Sequence, residues 1–197
     1  MTTIDHVTLE VADPAAAAGF YASLGLEERV RVRSGAPATG FSGFTLSLVA
    51  SQPSTVDALV AAAVEAGATV LKPASKSLWG YGGVVTAPDG TIVTFASSSK
   101  KDTGPATRQV DDVVLQLGVD DVAASRQFYA DHGFTVAKSF GRKYVEFDTG
   151  AVTLTLNRRK SLAKVAGVDP DGSDAHGVVI GGADGAFTDP DGFRWES

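Results

Sequence analysis

The chain opens on a period-two pattern. Ile4-Asp-His-Val-Thr-Leu-Glu-Val11 places Val7, Leu9 and Val11 on one face and His6, Thr8 and Glu10 on the other, as in a strand with one side on a core and the other on a polar space. The pattern returns at Val110-Asp-Asp-Val-Val-Leu-Gln-Leu117, where Val113, Leu115 and Leu117 oppose Asp112, Val114 and Gln116. The segment after each strand also repeats. Asp13 and Asp121 stand where a helix N-cap is expected, and Pro14 suits the first helical position. Phe20-Tyr21 and Phe128-Tyr129 fall at equal offsets from those aspartates, and Gly25 and Gly133 close the two helices.

The rest of the pattern fills in the units. Leu26 to Ser34 reads as a strand, Ser34 to Gly40 as a loop, and Phe44 to Val49 as an alternating strand with Thr45 and Ser47 on its polar side. Val56, Leu59, Val60, Ala63 and Val64 predict a helix capped by Ser54 or Thr55 and stopped at Gly67. Short strands are expected around Val70, Val84 and Val93. Residues 98–109 are polar, aperiodic and hold Gly104-Pro105, so they read as a linker between units 1–97 and 110–197. Beyond it the pattern predicts strand 110–117, helix 121–132, strands near 134–140, 143–148 and 152–157, and a short helix from Ser161 to Val165. The turn-rich Asp169-Pro-Asp-Gly172 then leads to a strand ending at Ile180, and the final unit lacks a helix.

Composition narrows the function classes. A chain of 197 residues buries a core without staples, and with no cysteine it has no disulfide, thiolate metal site or cysteine nucleophile. The net charge of −6 and pI near 5.0 argue against nucleic acid. Lys100-Lys101 and Arg158-Arg159-Lys160 are too short to reverse that and read as solvated surface. No apolar run is long enough for a bilayer, and no basic-then-apolar leader precedes the first strand, so the expected location is cytoplasmic.

The chemistry gathers at the C-terminal end. Asp189-Pro-Asp-Gly192 is a turn that feeds Phe193-Arg-Trp-Glu196, with Arg194 and Glu196 on one face. A near copy, Ala87-Pro-Asp-Gly-Thr-Ile-Val-Thr-Phe95, carries Thr94 at the place of Glu196. With Ile4-Asp-His-Val-Thr-Leu, Phe20-Tyr21, Leu24-Gly25, the helix end Glu65-Ala-Gly-Ala68 and Trp79-Gly-Tyr-Gly-Gly83, these motifs resemble the vicinal oxygen chelate superfamily. That group includes glyoxalase I, bleomycin-resistance proteins and extradiol dioxygenases.

The resemblance spans the chain and implies an α+β fold. It would comprise tandem domains at 1–97 and 110–197, built from βαβββ modules with the first and last shortened. It also implies a sheet curled into a cup and a divalent metal held from the opening strand of each unit and from the strand after the Pro-Asp-Gly turn. Carried over by position, the first copy supplies His6, Thr45 and Thr94, and the second Asp112, His176 and Glu196. One imidazole and two carboxylates suit Fe2+, Mn2+, Ni2+ or Zn2+. The set departs from the superfamily's usual two histidines and a glutamate at Asp112. If the shortened first and last units pair with each other, His6 joins His176 and Glu196 instead.

Two functions follow from the resemblance. One is a metal-dependent lyase or isomerase in which Glu196 moves a proton. The other is a non-catalytic binder of small or drug-like molecules. A small-molecule partner and a homodimer are the associations the resemblance allows. Glu10 reads either as a second base or as a rim carboxylate paired with arginine, and Arg194 as an ion-pair partner that competes with metal for Glu196. His132, beside Gly133, reads as a helix-end dipole partner. Trp79, Tyr81, Phe140 and Tyr144 are candidate cavity walls, and Arg142-Lys143 a candidate anion contact or a plain hairpin turn.

Overall fold

The computed structural model describes residues 2–172, 177–182 and 185–197. The opening repeat forms β1 (His6–Val11), α1 (Pro14–Ser23) and β2 (Val30–Ser34). Next come β3 (Phe44–Val49), α2 (Pro53–Glu65), β4 (Thr69–Ser77), β5 (Gly80–Thr86) and β6 (Ile92–Ser97). The second half gives β7 (Asp112–Val119), α3 (Val122–Asp131), β8 (Thr135–Phe140), β9 (Tyr144–Asp148) and β10 (Thr153–Arg158). It ends with α4 (Arg159–Ala166), β11 (Val178–Gly181), β12 (Phe187–Thr188) and β13 (Arg194–Glu196). This is the α+β class expected from the sequence.

Local chemistry accounts for the boundaries. Asp13 Oδ1 accepts from the Ala16 amide at 3.1 Å, and Asp121 Oδ1 from those of Ala123 and Ala124 at 2.9 and 3.2 Å. Each bond satisfies an amide that the first helical turn leaves unpaired. The strand expected from Leu26 begins only at Val30, because the Leu26 carbonyl accepts from Arg29 and Val30 amides and holds the chain in a turn. Helix α2 starts at Pro53 rather than after a Ser54 or Thr55 cap. Its Ser54 amide donates to Asp102, while the Gln52 side chain binds backbone groups of Thr103, Gly104 and Pro105. The expected linker is thereby tied to the start of α2.

The strands form a smaller, five-stranded sheet in the order β12-β13-β11-β1-β2, and a larger, eight-stranded sheet in the order β4-β5-β6-β3-β7-β10-β9-β8. The first and last modules thus pair with each other through β1 and β11, and the middle modules pair through β3 and β7, both antiparallel. Val7, Leu9 and Val11, with Leu46, Leu48, Val113, Leu115 and Leu117, enter one continuous core with residues of α1, α2 and α3. Each fully buried Leu or Val there contributes about 1.5–3 kcal/mol.

Helix α4 lies on the opposite, polar face of the larger sheet, where Leu162, Ala163 and Ala166 pack with Phe41, Val84 and Ile92. A methyl group at Gly118 would lie 3.0 Å from Arg159 Cα, a tight contact that glycine avoids where β7 approaches the start of α4. The Lys72 ammonium closes the other end, donating to the carbonyls of Lys164 and Val165 at 3.0 and 2.6 Å.

Candidate functional site

The polar face of the smaller sheet carries a charged cluster. Its register sets Gly181 between His6 on β1 and Glu196 on β13, and pairs Thr8 with Arg31 and Glu10 with Arg33 of β2. Arg33 spans both carboxylates: its Nη2 donates to Glu10 at 3.0 Å and its Nη1 to Glu196 at 3.1 Å. Arg194 donates to the other Glu10 oxygen. Burial opposes ionisation of Glu10, but the hydrogen bonds from Arg33 and Arg194 outweigh it and bring its pKa below the ordinary value. Glu10 is therefore an arginine-paired carboxylate, and the partner of Arg194 is Glu10 while Glu196 takes Arg33.

His6 is set by a third arginine of this face, Arg31. Arg31 Nη1 lies 3.3 Å from His6 Nε2. A guanidinium can only donate, so Nε2 accepts and the neutral ring carries its proton on Nδ1. That Nδ1 is buried without a partner among the described residues. Burial first, then the charge of Arg31, lowers the His6 pKa against the opposing pull of Glu196 and Asp5.

A divalent ion does not fit this arrangement. The two donors on the shared row, His6 Nε2 and Glu196, each face a guanidinium, and a cation there would meet two positive charges. Among the described residues no three His, Asp or Glu side chains form a metal-binding group. His176 lies outside the described residues. Asp112 lies on the larger sheet, apart from His6 and Glu196. Its Oδ2 accepts from Thr153 at 3.0 Å, and burial raises its pKa despite that bond.

The polar face of the larger sheet differs in kind. Register places Thr45 opposite Gln116 and Ser47 opposite Thr94. Thr45 Oγ1 donates to Gln116 Oε1 at 2.9 Å. Over this floor the β4–β5 hairpin and α4 wall a cleft of about 370 Å³. Ser47, Thr94 and Gln116 line its base, Trp79, Tyr81 and Val84 one side, and Val165 of α4 another. Trp79 at the hairpin tip is 85% exposed and Val165 62%. No carboxylate or imidazole lines the cleft, and Lys72 is its one charged side chain among the described residues.

Trp79 and Tyr81 are cavity walls, as expected. Phe140 and Tyr144 sit together on β8 and β9, with ring centroids 5.9 Å apart, outside the cleft. Arg142 and Lys143 occupy the turn between those strands. His132 ends α3 as its C-cap residue and stacks on Phe128 at 4.2 Å. Sequence reading missed Lys72 and Val165. Lys72 sits where β4 shifts register, so alternation gave no signal for its direction, and Val165 has a role only once α4 is placed.

Known proteins share this architecture. Residues 113–150 match the bleomycin resistance protein-like N-terminal family. Glyoxalase I from Zea mays superposes with a TM-score of 0.63 at 15% identity, covering 99% of this chain and 91% of that one. A Bacillus subtilis protein provisionally assigned as a dioxygenase gives 0.59 at 12% identity, covering 98% and 84%. The fold is that of the vicinal oxygen chelate superfamily. The resemblance read from the sequence is borne out at that level, and no curated protein matches the chain. Within a vicinal oxygen chelate fold paired in this way, the positions carried over from the superfamily pattern divide between the sheets. His6 and Glu196 fall on the smaller sheet, and Thr45, Thr94 and Asp112 on the larger. No described helix is long and apolar enough to cross a membrane.

Proposed function

We propose that the protein binds a small molecule, without chemistry of its own, in the cleft over the larger sheet. The observation that carries this reading is the lining. Hydroxyl and amide groups of Ser47, Thr94 and Gln116 form the floor, an exposed indole stands at the mouth, and among the described residues no carboxylate or imidazole faces in. Proton transfer near neutral pH needs a group that titrates there, whereas an apolar wall with a few oriented polar groups suits recognition. The fold's bleomycin-resistance-like module agrees with it.

Tryptophan emission tests the proposal, because Trp195 is 2% exposed and Trp79 85%. A panel of aromatic compounds should quench or shift the Trp79 signal, and Trp79→Ala should weaken binding about tenfold. Binding unaffected by Trp79→Ala removes the cleft from consideration.

A second reading, the metal-dependent lyase or isomerase, is favoured by the shared row of His6 and Glu196. It requires Arg31 and Arg33 to leave those donors and His176 to join them. Metal analysis after exposure to Ni2+, Mn2+, Fe2+ and Zn2+ decides it. A stoichiometric ion lost in His6→Ala and Glu196→Gln supports this reading, and no ion under any condition ends it.

A further inference from the structure

We infer that the ligand of the cleft is an aromatic anion, its ring carried by Trp79 and its charge held at Lys72; this rests on the cleft being a ligand site. Lys72 lines the cleft, and two of its ammonium hydrogens are committed to the carbonyls of Lys164 and Val165. An ammonium has three donors, so one remains. The last turn of a helix carries a partial negative charge, which with these two bonds holds the ammonium in place. No ion pair to Lys72 exists among the described residues, and no acidic side chain lines the cleft with it. The helix end offsets only part of the positive charge, and no full counter-charge meets it on that wall among the described residues, while the chain as a whole is at −6.

The other contacts suit the same ligand. Ser75 lines the β4 wall beside Lys72 and adds a hydroxyl donor for an anion, while Ser77 gives its hydroxyl hydrogen to the Gly80 carbonyl at 3.5 Å. Ser77 Oγ accepts from the Trp79 amide at 3.2 Å, which ties the indole-bearing turn to that wall. Trp79 exposes most of a large planar ring at the mouth, a surface that stacking would remove from water. A cationic ligand would meet Lys72 and no acidic side chain among the described residues, and a neutral one would leave the third ammonium donor to water.

Paired probes separate this from a purely structural role of Lys72. 8-Anilinonaphthalene-1-sulfonate and N-phenyl-1-naphthylamine share a ring system and differ by the sulfonate. The intact chain should bind the sulfonate about tenfold more tightly. Lys72→Met should remove that advantage, Lys72→Arg should retain it, and both variants should bind the neutral probe within about twofold of the parent, with circular dichroism confirming the fold. Equal binding of both probes, or an equal loss of both in Lys72→Met, overturns the anion inference and leaves the cleft reading standing. Failure of both probes to bind, or binding untouched by Trp79→Ala, overturns the cleft reading and the anion with it.

Discussion

The Tyr129 hydroxyl donates to Asp189, before the proline of its turn, at 2.7 Å inside the core, and Tyr21 donates to Asp89, after the proline of the other turn, at 2.8 Å. In each half, the tyrosine of the Phe-Tyr pair pins the Pro-Asp-Gly turn that starts a strand. In the second half that strand is β13, so the anchor holds Glu196 near the chain end. Trp195 Nε1 adds a bond to the Tyr129 hydroxyl at 3.3 Å. Tyr129→Phe leaves buried Asp189 one donor short and should cost about 1–3 kcal/mol by denaturant unfolding. Tyr21→Phe should cost less, since Asp89 is only half-buried.

The Glu10 cluster predicts a pH dependence of known sign. Its folded-state pKa lies below the ordinary 4.5 through Arg33 and Arg194, against burial. The folded state then holds fewer protons than the unfolded one, so the contribution is present above about pH 4.5 and lost as pH falls through the folded pKa. Both arginines are substantially exposed, so solvent limits the effect to about 1 kcal/mol at most. Glu10→Gln should flatten the fall of unfolding free energy below about pH 4.5, and roughly 1 M salt should act in the same direction.

Gly80 has φ +145°, and a methyl group there would lie 2.0 Å from the Ser97 carbonyl oxygen. Gly80→Ala must therefore part β5 from β6 beside Trp79. A loss of about 2 kcal/mol or more is expected, together with weaker binding to the cleft. A fully stable variant with unchanged affinity would contradict this account of the hairpin.

Splitting the chain within 98–109 tests the pairing of modules. β1 finds β11 and β3 finds β7 across that segment, so each half alone exposes unpaired strand edges and apolar faces. Residues 1–97 and 110–197 expressed separately should aggregate or remain poorly structured, and should reassemble when co-expressed. Two independently folded, monomeric halves would be inconsistent with this topology.

The amino-acid sequence by itself determined the local structure: the period-two faces of β1, β3 and β7, the aspartate caps of α1 and α3, and the repeat that reveals the superfamily fold. These depend on neighbours within one turn or one strand. It also placed His6 and Glu196 on polar faces, since alternation sets a side chain's face. It could not choose between the pairings open to those strands. Val7, Leu9 and Val11 present nearly the same apolar face as Val113, Leu115 and Leu117, so hydrophobic pattern alone does not say which strand lies beside which. The tertiary structure decided that β1 joins β11 and β3 joins β7, which put Asp112 on a different sheet from Glu196. It also brought Arg33 between Glu10 and Glu196, and laid α4 with Lys72 over the hydroxyl floor. Such contacts join residues far apart in the chain, and only the packing of the whole core selects them.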